Sequence, residues 1–140
     1  MFFNILQSNY LTLMPSKVPF SLEYDFHASP QLLFQYLSTP SGLSEWFADN
    51  VNLNGKNYKF FWDGDEQEAE LLSKKNNLSV KFRWTNEPKD TFFELKIVID
   101  DITQDVSLII TDFAEDEEDL EEAKLLWNKQ IEKLRQSIGS

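Results

Sequence analysis

The chain is 140 residues long, a length that favours a single domain, and 41% of it is apolar, enough to bury a core. It has no cysteine, which rules out disulfides, thiolate metal sites and a Cys nucleophile and suits a reducing cytoplasm. A net charge of −11 is repelled by phosphate backbones and anionic bilayers, so neither nucleic acid nor a membrane surface is an expected partner.

Twelve Phe, four Trp and four Tyr set the chain apart from disordered sequences, which are poor in such residues. No apolar run is long enough to span a bilayer. Residues 1–16 read as an N-terminal extension, with the domain running from 17 to 139. The stretch Met1 to Leu13 is moderately apolar but carries no Lys or Arg, unlike the basic start of a signal peptide. Met14, followed by Pro15 and Ser16, is a second candidate start.

Phe20, Leu22, Tyr24 and Phe26 alternate with Ser21, Glu23 and Asp25, the pattern of a half-buried strand. Ser29-Pro30 supplies a helix cap and a proline at the first helical position, and Leu33, Tyr36 and Leu37 follow at helical spacing. Thr39-Pro40 repeats the signal, with Leu43, Trp46 and Phe47 as the apolar face of a second short helix.

Strands and tight turns come next. Asn54-Gly55 and Asp63-Gly64 are two-residue hairpin signals, and Tyr58, Phe60 and Trp62 share a face between them. Gln67, Ala69 and Leu71 make the inner face of the following strand. Leu78, Val80, Phe82 and Trp84 alternate with Ser79, Lys81 and Arg83. Phe93, Leu95, Ile97 and Ile99 alternate with Glu94 and Lys96, and Val106, Leu108 and Ile110 form the last strand. Connections this short predict an antiparallel meander.

The final segment carries one apolar stripe: Leu120, Ala123, Trp127, Ile131, Leu134 and Ile138. Acidic residues fill its first turns and Lys129, Lys133 and Arg135 its last, both complementing the helix dipole. A helix from Glu118 to Ile138 runs ~30 Å, enough to cross a sheet. The predicted class is therefore α+β: a curved antiparallel sheet of six or seven strands around a long C-terminal helix, with two short helices after the first strand.

This order, the Phe26-His27-Ala28-Ser29-Pro30 strand exit, the Pro40 to Phe47 segment ending in the Trp46-Phe47 doublet, and a Trp within the last helix resemble the START-like (SRPBCC, helix-grip) superfamily. Within it the chain is most similar to the heat-shock-chaperone ATPase activator homologues. The resemblance spans about residues 17–139 and implies a cavity between sheet and helix. The acidic 112–122 segment and the N-terminal extension depart from the family pattern.

The inward aromatics Tyr58, Phe60, Trp62, Phe82, Trp84 and Phe93, with Trp127 of the last helix, are the candidate ligand-binding residues. Core filling is the competing account of each, because aromatics carry large buried areas. No residue is nominated as catalytic, no metal site and no cofactor. His27, the single histidine, falls at a strand exit with no nucleophile at an informative spacing. Asp63, Asp65, Glu66, Glu68 and Glu70 miss the calcium-loop pattern and read as a solvated face. Asp112 to Glu122 holds eight acidic residues and no basic one, and reads as a charged helix start exposed to water. The expected function is binding of a small apolar or aromatic molecule. A co-chaperone-like or regulatory protein acting through its surface is the alternative, and a cyclase- or hydratase-type enzyme ranks third. A protein partner stays open, as does monomer against homodimer.

Overall fold

The computed structural model describes residues 17–140; the extension and the alternative start at Met14 lie outside them. Strand β1 (Val18–Phe26) leads into helix α1 (Pro30–Ser38) and the single-turn α2 (Pro40–Leu43). Six strands follow: β2 (Asn50–Asn54), β3 (Asn57–Trp62), β4 (Asp65–Lys75), β5 (Ser79–Trp84), β6 (Phe93–Ile99) and β7 (Val106–Ala114). Helix α3 (Leu120–Ile138) ends the chain. The sheet order is β1-β7-β6-β5-β4-β3-β2, every pair antiparallel. The sheet is curved and unclosed, with β1 and β2 as its edges. The α1–α2 connection carries the chain from one edge to the other.

Turn chemistry accounts for the hairpins. Gly55 and Gly64 take φ of 65° and 85°, which side-chain-bearing residues rarely adopt. In β4 the pairing to β5 shifts between Leu71 and Ser73, and this bulge leaves Leu72 in solvent. Gln67, expected indoors, is exposed, as are Leu78 in the turn before β5 and Ile99 at the end of β6. The inner face is otherwise apolar: Phe60, Ala69, Val80, Phe82, Leu95, Leu108 and Ile110 are fully buried.

Both short helices start as their sequence dictates. The Ser29 Oγ accepts the Leu32 N–H, and Pro30 opens the first turn. Thr39 caps α2, accepting the Gly42 N–H at 2.9 Å while its hydroxyl donates to the Gln35 carbonyl at 2.7 Å. The second helix ends at Leu43, earlier than its apolar spacing suggests, and Trp46 and Phe47 sit in the turn after it. At Gly42 a Cβ would stand 2.2 Å from the Gln35 carbonyl oxygen and 2.6 Å from the Tyr36 Cα. Backbone cannot swing aside as a side-chain tip can. Gly42→Ala is therefore expected to cost about 1–3 kcal/mol in urea unfolding, the range of overpacked sites. A loss below about 0.5 kcal/mol would show that the α1–α2 contact is looser.

Helix α3 lies over the concave face. Trp127, Ile131 and Leu134 are its buried residues, and Gly139 closes it in the left-handed conformation at φ 83°. Its last turns are tied down. The Tyr36 hydroxyl donates to the Ser137 carbonyl, Ser137 to the Glu45 carbonyl, and Arg135 to the Asp25 carbonyl while covering the Phe26 ring. Among the described residues no helix is long and apolar enough to cross a membrane.

Candidate functional site

Phe47 organises the aromatic centre. Its carbonyl accepts the Trp62 Nε1–H at 2.8 Å and the Gln130 side-chain amide at 2.9 Å, which fixes the turn after α2 against both β3 and α3. Its ring then meets Phe60, Trp62, Trp84, Phe93 and Trp127 at centroid separations of 5.1 to 6.3 Å. Such offset-stacked and edge-on pairs add stability beyond their buried area.

The seven candidate residues divide around this centre. Tyr58, Phe60 and Phe82 are at most 2% exposed and pack directly on one another. The Tyr58 hydroxyl donates to the Ser38 carbonyl at 2.8 Å. Trp62 borders a separate hollow beside Ala48 and Lys133. Trp84, Phe93 and Trp127 line a cleft of about 150 Å³ between the sheet and α3. Phe47 completes its aromatic wall, and Ala123 and Leu126 form the α3 side.

The cleft has two polar members, Gln130 and Asp112. Asp112 opens the acidic run that the sequence places in solvent. Strand β7 in fact continues to Ala114. The alternation Val106, Leu108, Ile110 therefore extends through Asp112 to Ala114, and the Asp112 carboxylate faces inward. Its neighbour across β1 is Phe20, a buried residue. One carboxylate oxygen accepts the Trp127 Nε1–H at 2.8 Å and the other the Phe113 backbone N–H at 2.7 Å. Phe47 was likewise missed as a site residue, since its position depends on a turn and not on a periodic element.

A second hollow of about 220 Å³ adjoins the cleft, sharing Trp84 and Asp112 with it. Lys17 is the basic residue on its wall, and its ammonium pairs with Glu87 and Glu115. Elsewhere His27 is exposed at the end of β1. Glu66 and Glu70 pair across strands with Lys59 at 3.3 Å and Arg83 at 3.5 Å.

Burial raises the Asp112 carboxyl above its ordinary 3.8, a push that outweighs the Trp127 and Phe113 donors and the charge of Lys17, and to which Glu87 adds. The folded chain thus holds this proton to higher pH than the unfolded chain does. Stability from Asp112 is greatest below the unfolded value and is lost as pH rises through the folded one. Asp112→Asn is accordingly expected to gain melting temperature relative to the unaltered protein as pH rises from about 4 towards 7, apart from a pH-independent offset for its changed hydrogen bonds. Paired thermal melts across that range check the sign, and the opposite slope would mean that the carboxylate is stabilised by its site.

The comparisons with known proteins agree with this architecture. The START-like superfamily domain matches residues 14–140. No curated protein matches the chain. Among solved structures, a Bacteroides fragilis protein determined in solution is 30% identical, with a TM-score of 0.64, covering 88% of this chain and 92% of that one. The Aha1 dimer from Colwellia psychrerythraea is 18% identical, with a TM-score of 0.72, covering 86% and 96%. CalU16 from Micromonospora echinospora is 16% identical, with a TM-score of 0.68, covering 86% and 75%. The last two are likenesses of fold. With the family match spanning all of the sheet and helices described above, this chain belongs to the START-like superfamily.

Proposed function

We propose that this protein is a binding domain for a small apolar or aromatic molecule, held in the cleft between the sheet and α3. The observation that carries the reading is the cleft itself: about 150 Å³ of space walled by Phe47, Trp84, Phe93 and Trp127, beside an otherwise filled aromatic core. Ligand pockets usually measure about 300–1,000 Å³. The fit is therefore a one-ring ligand, or a longer one that continues past Trp84 and Asp112 into the adjoining hollow. Tyr58, Phe60 and Phe82 act on such a ligand only through the rings in front of them.

A thermal-shift screen of single-ring aromatics, fatty acids, sterols and flavonoids tests this, since a bound ligand stabilises by RT ln(1 + [L]/Kd). Saturable stabilisation by one chemical class, lost in Trp84→Ala, is the expected result. No response from any class would remove the binding reading.

A second reading, action through the surface, has one observation in its favour. Leu125 and Leu126 stand 59% and 58% exposed side by side on α3. The structure from Colwellia is of a dimer, and a second copy of this chain is the partner such a face suits. Sedimentation velocity of the full chain and of Leu125→Glu separates monomer from dimer.

A further inference from the structure

We propose that the cleft selects a ligand bearing a substituted ammonium group, with Asp112 as the residue that sets this preference. The inference rests on the binding role proposed above and adds the charge of the ligand to it.

Three features converge. First, the cleft combines aromatic faces with a carboxylate. Phe47, Trp84, Phe93 and Trp127 contribute rings, and Asp112 the charged group. Ring faces attract organic cations through their quadrupoles, more strongly in a site shielded from water. A carboxylate at the same wall adds a full opposite charge. Each Asp112 oxygen accepts one N–H, from Trp127 or from Phe113, which aims the group and leaves a second lone pair on each oxygen.

Second, among the described residues no cation lines the cleft side of Asp112. The other lining residues there are aromatic, Ala123, Leu126 and Gln130, and none is basic. On the far side Lys17 is already bonded to Glu87 and Glu115, so that group of four side chains has two negative charges in excess. A neutral apolar ligand would take water from the cleft side of this carboxylate and offer no counter-charge there, leaving it only its two N–H donors. An anionic one would add repulsion.

Third, the approach to the cleft is acidic. Glu115, Asp116, Glu117, Glu118 and Asp119 are exposed in the link from β7 to α3. Glu121 and Glu122 follow and are also exposed, directly before Ala123 of the cleft wall. Glu115 is paired with Lys17 and Glu121 with Lys124, and the net field of the run is still negative, which raises the local concentration of oppositely charged ligands. The acidic run thereby acquires a role beyond solvation: it gathers cations at the mouth of a site that ends in a carboxylate.

The test uses the full chain and three probes of similar shape: phenyltrimethylammonium, neutral tert-butylbenzene and anionic benzenesulfonate. Binding is followed by the NMR resonance of the Trp127 indole N–H, the group bonded to Asp112. Phenyltrimethylammonium is expected to shift it saturably and to bind at least about tenfold more tightly than tert-butylbenzene. Its affinity should fall with added salt while that of the neutral probe does not. In Asp112→Asn the preference for the cation should vanish with neutral binding retained. The salt comparison is made on the unaltered protein and so does not depend on the variant folding. If tert-butylbenzene binds as well as the cation, or benzenesulfonate binds best, the charge assignment is wrong and the apolar binding role stands. A cation preference unchanged in folded Asp112→Asn would also overturn it. If none of the three binds, the charge assignment falls, and the binding role stands or falls with the thermal-shift screen.

Discussion

Leu95→Asp is expected to unfold the domain, while Lys96→Asp, one residue along the same strand, should shift stability by about 0.5 kcal/mol or less. Leu95 is fully buried in the middle of β6, with fully buried Val80 of β5 on one side and Ile110 of β7 on the other. A carboxylate there has no donor and no cation within the layer, so it either loses its charge or draws in water at the expense of the core. The cost exceeds about 4 kcal/mol, the tail of the distribution for single substitutions, against a total stability of about 5–15 kcal/mol for a domain. Lys96 is exposed on the opposite face of the sheet. Circular-dichroism melts of the pair decide the matter. Equal destabilisation would mean that β6 presents the other face to the helix, since a slip of one residue inverts every side chain.

The residues that made the fold legible obey short-range rules. The alternation of Phe93, Leu95 and Ile97 against Glu94 and Lys96 places β6 correctly because both of its faces have one unambiguous environment. The Leu120 to Ile138 stripe works for the same reason, and Trp127, Ile131 and Leu134 are the residues of α3 that the structure buries. Glycines at the two hairpins mark φ values that other residues avoid. The errors have equally local causes. The bulge after Leu71 adds a residue to β4 that no periodicity announces. Gln67 lies near the start of β4, where the inner face carries polar residues in solvent. Helix α2 stops at Leu43 because the next turns bond back onto its end: the Leu43 carbonyl takes the N–H of both Phe47 and Ala48.

The site was harder to read than the fold for a reason that Asp112 makes plain. Composition and periodicity disagree at that position. The acidic run from Asp112 to Glu122 argues for solvent, whereas the step of two from Val106 argues for the interior, and the run is the louder signal. A charge on the inner face of a strand breaks the local rule, and rule-breaking positions are where function concentrates. Continuing the alternation to Ala114 would have found it. Phe47 offers no such signal, because its place is fixed by hydrogen bonds from Trp62 and Gln130, residues distant in sequence.

Trp127→Ala is expected to cost about 3 kcal/mol, at the lower end of the range for buried aromatic truncations. Trp127 is 7% exposed, its ring stacks on Phe47 at 5.9 Å and tilts against Phe93 at 6.3 Å. One side of it faces the cleft, where it has no protein contacts to lose, and this lowers the cost. Against that, its removal strands the Asp112 carboxylate without one of its two donors, and a hydrogen bond to a charged group is worth about 1.5–3 kcal/mol. Trp127→Phe separates the contributions. It keeps an aromatic ring against Phe47 and loses the indole N–H, so it should cost about 1–2 kcal/mol, most of it recovered when Asp112 is also replaced by Asn. Urea unfolding of the two single variants and the double variant measures that coupling. A Trp127→Ala cost below about 1 kcal/mol would mean that α3 rests on the sheet without sealing it. No coupling between Trp127→Phe and Asp112→Asn would mean that the indole and the carboxylate meet without holding one another. The wall that the two residues build together would then have no fixed polar end to offer a ligand.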